Sequence, residues 1–138
     1  VWSDSTKRRI ITLRTDANNY LCIDKSATAN RLDFTYVANS TSESVTDSTS
    51  IGASVGWFHV ALTWDLATAN AVYAYINGAQ AGTSATLGTW AGALASTTTV
   101  IGSSSTTAAD VWSGWLSNVA VWNVALSAAE IARLANLY

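Results

Sequence analysis

The sequence predicts an all-β domain closed by one short C-terminal helix, and three observations carry that prediction. Short β-branched and aromatic segments, separated by clusters of Gly, Asn, Asp and Ser, recur along almost the whole chain, which is the pattern of many short strands. Between two of these segments stands Asn77-Gly78, a pair suited to the two positive φ angles of a type I′ hairpin. Near the end, Ser127-Ala128-Ala129-Glu130 has the spacing of a capping box that opens a helix. The 138 residues suffice for one domain around one core. No repeat at a fixed period points to a solenoid or propeller.

Taken in order, strands are expected at Ile10 to Arg14, Asn19 to Asp24, Arg31 to Ala38, Gly56 to Trp64 and Ala71 to Ile76, then at Gln80 to Leu87, Thr98 to Gly102 and Leu116 to Trp122. The Ser/Thr-rich segment Asn39 to Ser50 reads first as a solvated surface loop and second as a polar edge strand, on account of Val45. After the capping box, Ile131, Leu134 and Ala135 share one helical face that would pack against the sheet edge.

Two segments are apolar on both faces. Alternation along a strand places Val72, Ala74 and Ile76 on one side of the Ala71 to Ile76 segment and Ala71, Tyr73 and Tyr75 on the other. Val119 and Val121 oppose Ala120 and Trp122 in the same way. Such doubled faces call for cover by another chain, a bound glycan, or a loop or helix of the same chain.

Charge excludes several partners. Seven Lys and Arg against nine Asp and Glu give a net charge of −2, so nothing draws the chain toward nucleic acid. No apolar run is long enough to span a bilayer, and the sequence carries no basic and apolar leader pattern at its first residues. Charged residues make up only 12% of the chain, while Ser and Thr number 35, so uncharged hydroxyls supply the solvent face. That surface suits a neutral polar ligand or a neighbouring copy. Cys22 stands alone and reads as a buried apolar thiol.

From Gly56 onward four pieces occur in a fixed order: GWFHVALTWD at Gly56 to Asp65, AYING at Ala74 to Gly78, VIGS at Val100 to Ser103, and GWLSNVAVWNVALSAAEIARL at Gly114 to Leu134. Together they resemble the laminin G-like, or concanavalin A-like, jelly roll of lectins and surface modules. The resemblance, carried most strongly by residues 56–134, implies an antiparallel two-sheet jelly-roll β-sandwich formed by residues 1–138 as a single domain. It implies also that the chain enters the family pattern late, at Val1-Trp2. The family's first strands would then be dispensable, supplied by another chain, or part of a longer parent. Where the family often carries an acidic pair, this chain has Ser117-Asn118, which disfavours the calcium binding found among relatives; no cofactor and no metal ligand is assigned.

Hydrolytic chemistry is not expected. Retaining glycosidases need two carboxylates about 5 to 5.5 Å apart, but the chain has only Glu43, in the Ser/Thr-rich segment, and Glu130, in the helix cap. His59 is the only imidazole, and the family likeness gives it a structural strand position, which leaves no base for a Ser or Cys nucleophile. Asp16-Ala17-Asn18-Asn19, followed by Asp24, is the one dense oxygen-bearing stretch and reads as a turn. Asp65 and Asp110 are lone carboxylates, and Lys7-Arg8-Arg9 reads as a solvated strand flank. No catalytic residue is assigned.

Seven tryptophans are the most unusual feature. Trp57, Trp64 and Trp122 fall at family strand positions and are expected in the core. Trp90 and Trp112 sit among turn residues, where a large apolar ring is harder to bury. With Tyr73 and Tyr75 they form the candidate platform for sugar stacking, or equally a contact with a neighbouring subunit. Asn39-Ser40-Thr41 is the one N-glycosylation sequon. The expected function is thus noncatalytic recognition of a glycan or glycoprotein by an extracellular, cell-surface or virion-surface module, without nucleic-acid binding or membrane insertion. The alternative is a self-assembling subunit of a surface filament, appendage or virion, whose partners are copies of itself.

Overall fold

The computed structural model describes residues 4–28, 30–47 and 56–137. The expectations placed on Val1-Trp2 and on the end of the Asn39 to Ser50 segment lie outside these residues. Among the described residues eight strands and one helix follow in chain order: β1 (Arg8–Asp16), β2 (Asn19–Lys25), β3 (Leu32–Ala38), β4 (Thr41–Thr46), β5 (Val60–Asp65), β6 (Ala71–Ile76), β7 (Ala79–Ala85), β8 (Val100–Ile101) and α1 (Ala128–Ala135). They form two antiparallel sheets, one of five strands in the order β4-β3-β2-β1-β8 and one of three in the order β5-β6-β7. The all-β sandwich with a short C-terminal helix is the architecture expected from the sequence.

Turn chemistry sets the registers. Asn77 and Gly78 have φ of 49° and 78°, and the two-residue loop pairs Ile76 with Ala79, as a type I′ turn requires. Asn39 and Ser40, at 48° and 65°, make the same turn between β3 and β4. Segment 41–46 is therefore a strand and not a solvated loop. Its side chains alternate between exposed and covered, and Val45 alone is fully buried, which is how a polar edge strand earns its place in a sheet. At the β1–β2 turn, Asp16 Oδ1 accepts the backbone amide of Asn18 at 2.7 Å and the side-chain amide of Asn19 at 3.1 Å, an Asx turn. These bonds hold the Asp16 carboxyl below its ordinary range.

The core lies between the sheets. Leu21, Ile23, Leu32, Phe34, Tyr36 and Val45 face Val72 and Ala74 of β6. The layers approach so closely that a methyl group added at Gly82 would stand 2.5 Å from Val45 Cγ1, and one at Gly88 would stand 1.9 Å from the carbonyl oxygen of Ala38. No larger residue fits at either place.

The Leu116 to Trp122 segment departs from expectation. It joins neither sheet, and Asn118 within it turns the backbone at a φ of 54°; of the predicted Thr98 to Gly102 strand only Val100–Ile101 pairs, with β1. The capping box is present in full: Ser127 Oγ accepts the Glu130 amide at 3.4 Å, and Glu130 Oε2 accepts the Ser127 amide at 2.8 Å.

Candidate functional site

The four aromatics proposed from the sequence do not meet in one place. Tyr73 and Tyr75 lie on the outer face of β6, where they line a groove of about 330 Å³. Trp90 packs on the core, its ring centroid 6.0 Å from that of Tyr36. Trp112 also packs on the core, with Gly102 and Gly114 close against it.

Local structure explains the groove. In β6, residues of odd number point away from the core, and antiparallel pairing sets Thr63 opposite Tyr73, and Gln80 opposite Tyr75. Cross-strand partners share a face, so two tyrosines, a hydroxyl and an amide come together, with Asp65 beside them. The opposite wall is Ala125 to Ala128, where the chain enters α1. The helix fixes this wall: its one fully buried side chain is Ile131, and Ala132 lies so close to Gly78 that an added methyl there would come within 2.9 Å of Ala132 Cα. The second apolar face of β6 is therefore covered by the chain's own C-terminal segment. Tyr75 is almost wholly buried as the floor, while Tyr73 is partly open.

The two glutamates are engaged elsewhere. Glu43 accepts a short hydrogen bond from Ser84 Oγ across the β4–β7 edge, and Glu130 is held below its ordinary range by Ser127. His59 precedes β5 by one residue; its backbone amide donates to Asn77 Oδ1 at 2.9 Å, and its carbonyl accepts the Asn77 amide at 2.8 Å. Burial depresses the imidazole pKa. Among the described residues no three or more His, Cys, Asp or Glu side chains converge into a metal-binding group.

Lys7-Arg8-Arg9 is not the solvated flank expected. Arg9 pairs with the fully buried Asp24, which Lys7 also reaches at 3.1 Å. Lys25 is fully buried too; its ammonium donates to Asp4 Oδ1 at 3.0 Å, to the Thr6 carbonyl at 3.1 Å and to the Asp4 carbonyl. Asp4 in turn pairs with Arg8 at 2.7 Å, and these cations keep its carboxyl well below the usual range. Burial raises the pKa of Asp24 against the pull of Arg9 and Lys7. It pushes the Cys22 thiol, with help from Asp24, up to about 12.

The model of the concanavalin A-like lectin/glucanases superfamily matches residues 2–132. The chain belongs to this superfamily. The match begins well before the motifs at 56–134 that first suggested it. No curated protein sequence matches this concanavalin A-like domain. Among solved structures it is similar to an S-layer domain-containing protein (residues 221–444) from Clostridium thermocellum ATCC 27405, at 22% identity and a TM-score of 0.47, over 94% of this chain and 63% of that one.

Within this concanavalin A-like sandwich the sequence reading misplaced two tryptophans: Trp57 and Trp122, expected in the core, are exposed, while Trp64 packs against it beside Tyr36. Trp115, which lies in the Gly114 to Leu134 motif but was given no role, is 86% exposed. The reading also missed Thr63, Asp65, Gln80 and Ser127. Counting back from Asn77-Gly78 sets Gln80 opposite Tyr75 and would have found one of them; the β5 register and the Ala125–Ala128 wall depend on tertiary packing. Asn39, the sequon residue, is exposed in its turn, and its backbone amide donates to Asn19 Oδ1 at 3.1 Å.

Proposed function

We propose that this domain is a noncatalytic, extracellular or particle-surface module that binds a neutral glycan in the groove over Tyr73 and Tyr75. The observation that supports the reading is the composition of that groove: two tyrosine rings form its base, and Thr63, Asp65, Gln80 and Ser127 stand around them. Sugars offer apolar C–H faces and a fringe of hydroxyls, so an aromatic floor with a few placed polar groups matches them in both respects. Tyr73, the more open ring, stacks; Tyr75 supports it; Gln80 and Asp65 take hydroxyl hydrogen bonds. Trp90 and Trp112, packed on the core, serve as framework in this reading. Asn39 is the proposed glycan attachment point in a host that modifies sequons.

A glycan array followed by titration calorimetry tests the reading. Tyr73→Ala is expected to weaken binding about tenfold, roughly 1.4 kcal/mol, without altering the circular dichroism spectrum, whereas Trp115→Ala leaves affinity unchanged. Equal affinity of Tyr73→Ala and the unaltered domain would remove the groove from consideration.

A further inference from the structure

The groove over Tyr73 and Tyr75 has a sign of charge as well as a shape. Asp65, at the end of β5, is the one charged side chain among its lining residues. It shares the outer face with the two rings, since Thr63 pairs with Tyr73 and alternate positions of β5 point the same way. The amide of Thr68 donates to Asp65 Oδ1 at 3.0 Å, so the turn after β5 fixes the carboxyl group in place.

The opposite wall brings a second carboxylate. Ser127 lines the groove, and its hydroxyl donates to Glu130 Oε2 at 2.6 Å. A helix N-terminus ordinarily favours an anion in front of it. Here the helix supplies its own: Glu130 Oε2 accepts the Ser127 amide, and Ser127 Oγ accepts the Glu130 amide. The cations are elsewhere, and every charged side chain of the chain belongs to a described residue. Six of the seven Lys and Arg lie between Lys7 and Arg31, in and beside strands of the other sheet. Four of those six are ion-paired with Asp4 or Asp24. The seventh, Arg133, stands in the last turn of α1, about 9 Å along the helix axis from Ser127.

We propose that Asp65 makes the groove selective by charge: it admits hexoses and amine-bearing sugars and refuses sugars that carry a carboxylate or a sulfate. The inference rests on the reading of the groove as a glycan site and names the class of glycan it takes. A sugar hydroxyl donates to the Asp65 carboxylate, and an ammonium in the same place gains an ion pair and the face of a tyrosine ring. A uronate or sulfate there sets like charges side by side, with no cation in the groove to answer them. Ala69, Leu126 and Ala128 leave the rest of the lining apolar, so less water stands between the two charges to screen their repulsion.

An array of matched sets tests it: oligosaccharides of glucose, glucuronate and glucosamine, the corresponding galactose set, and lactose beside its sialylated and sulfated forms. Within a set that binds, the acidic member is expected to bind at least about tenfold more weakly than the hexose, and the amine member at least as tightly as the hexose. In Asp65→Asn, folded by circular dichroism, the gap between hexose and acidic member is expected to shrink to less than about threefold, and in Asp65→Lys the order reverses. Raising NaCl from about 0.05 to about 0.5 M narrows the gap in the unaltered domain and leaves it unchanged in Asp65→Asn. An acidic member bound as tightly as its hexose overturns the proposal, and so does a gap that survives Asp65→Asn. Tyr73→Ala separates this inference from the reading beneath it. If Tyr73→Ala weakens the hexose while the sets show no order by charge, the groove binds sugar and only the selection by Asp65 is wrong. If Tyr73→Ala binds every member as the unaltered domain does, the sugar lies elsewhere and both fall, as they do if no sugar on the array is bound.

Discussion

Asn19 shows how much a single side chain can hold. Buried at the β1–β2 turn, it donates to Asp16, and its Oδ1 accepts the amides of Asn39 at 3.1 Å and Ala91 at 3.0 Å. Two hairpin turns and the loop carrying Trp90 are thus joined through one carboxamide, whose oxygen serves two backbone amides that lie outside the strand ladders. Cys22 is the reverse case, a reactive group made inert. With a pKa pushed up to about 12, its thiolate fraction at pH 8 is about a thousandfold below that of an ordinary thiol. A thiol reagent such as Ellman's is therefore expected to leave the folded domain unlabelled for hours and to react at once after denaturant is added. Rapid labelling in buffer would show that β2 opens locally.

At the scale of elements, the helix stands on its cap. Only one residue of α1 is fully buried, so tertiary packing gives it little, and the Ser127–Glu130 box carries a large share of its stability. Ser127→Ala is expected to cost about 1 kcal/mol, read as a lower melting temperature. The box also has a pH signature. The Glu130 pKa is lowered in the fold, so its contribution is present above the ordinary glutamate range near about pH 4.3 and is lost as pH falls through the lower folded value. Helical signal should accordingly fray on acidification, and a Glu130→Gln variant should flatten that change. The turn and the cap were legible in the sequence because each is a local device: Asn77-Gly78 and Ser127 to Glu130 act within four residues. Strand β4 was half legible, since Val45 is its one fully buried side chain. Leu116–Trp122 misled because alternation reports a preference for extended backbone and does not reveal whether a ladder stands beside it.

For the whole molecule, two layers of unequal width decide what is covered. The five-stranded sheet extends to β1 and β8, while the three-stranded one meets it at β4, where Gly82 of β7 closes on Val45, and the loop after β7 passes over the end of β3 at Gly88. Beyond that overlap the chain relies on irregular segments, and there the exposed Val119, Val121 and Trp122 are found. The fold class was visible in composition and motif order. Of the candidate groove, Tyr73 and Tyr75 were legible from alternation along their strand, but the wall was not, because it comes from residues about fifty positions further along. The buried charges at the start of β1 escaped for a similar reason: three consecutive cations look solvated until a neighbouring strand brings Asp24 to them. Their arrangement leads to an inverted expectation. Lys25→Met removes a buried charge and leaves Asp4 with Arg8 and water, whereas Asp4→Ala leaves an ammonium buried without its counterion. Removing one partner of a buried pair is the costly change, so Asp4→Ala, at a partly exposed residue, is expected to lower the melting temperature more than Lys25→Met. The opposite order in thermal melts would place Lys25 in contact with solvent.

The wall that covers Tyr73 and Tyr75 is built from residues 125–128 and anchored by the helix that follows. During synthesis both sheets can pair before that helix has emerged, and the tyrosine face of β6 then stands bare on the nascent chain. For those seconds the newborn domain presents a sticky aromatic surface that the finished one has partly hidden, a natural handle for a chaperone and the stretch at which a stalled ribosome would leave an aggregating fragment.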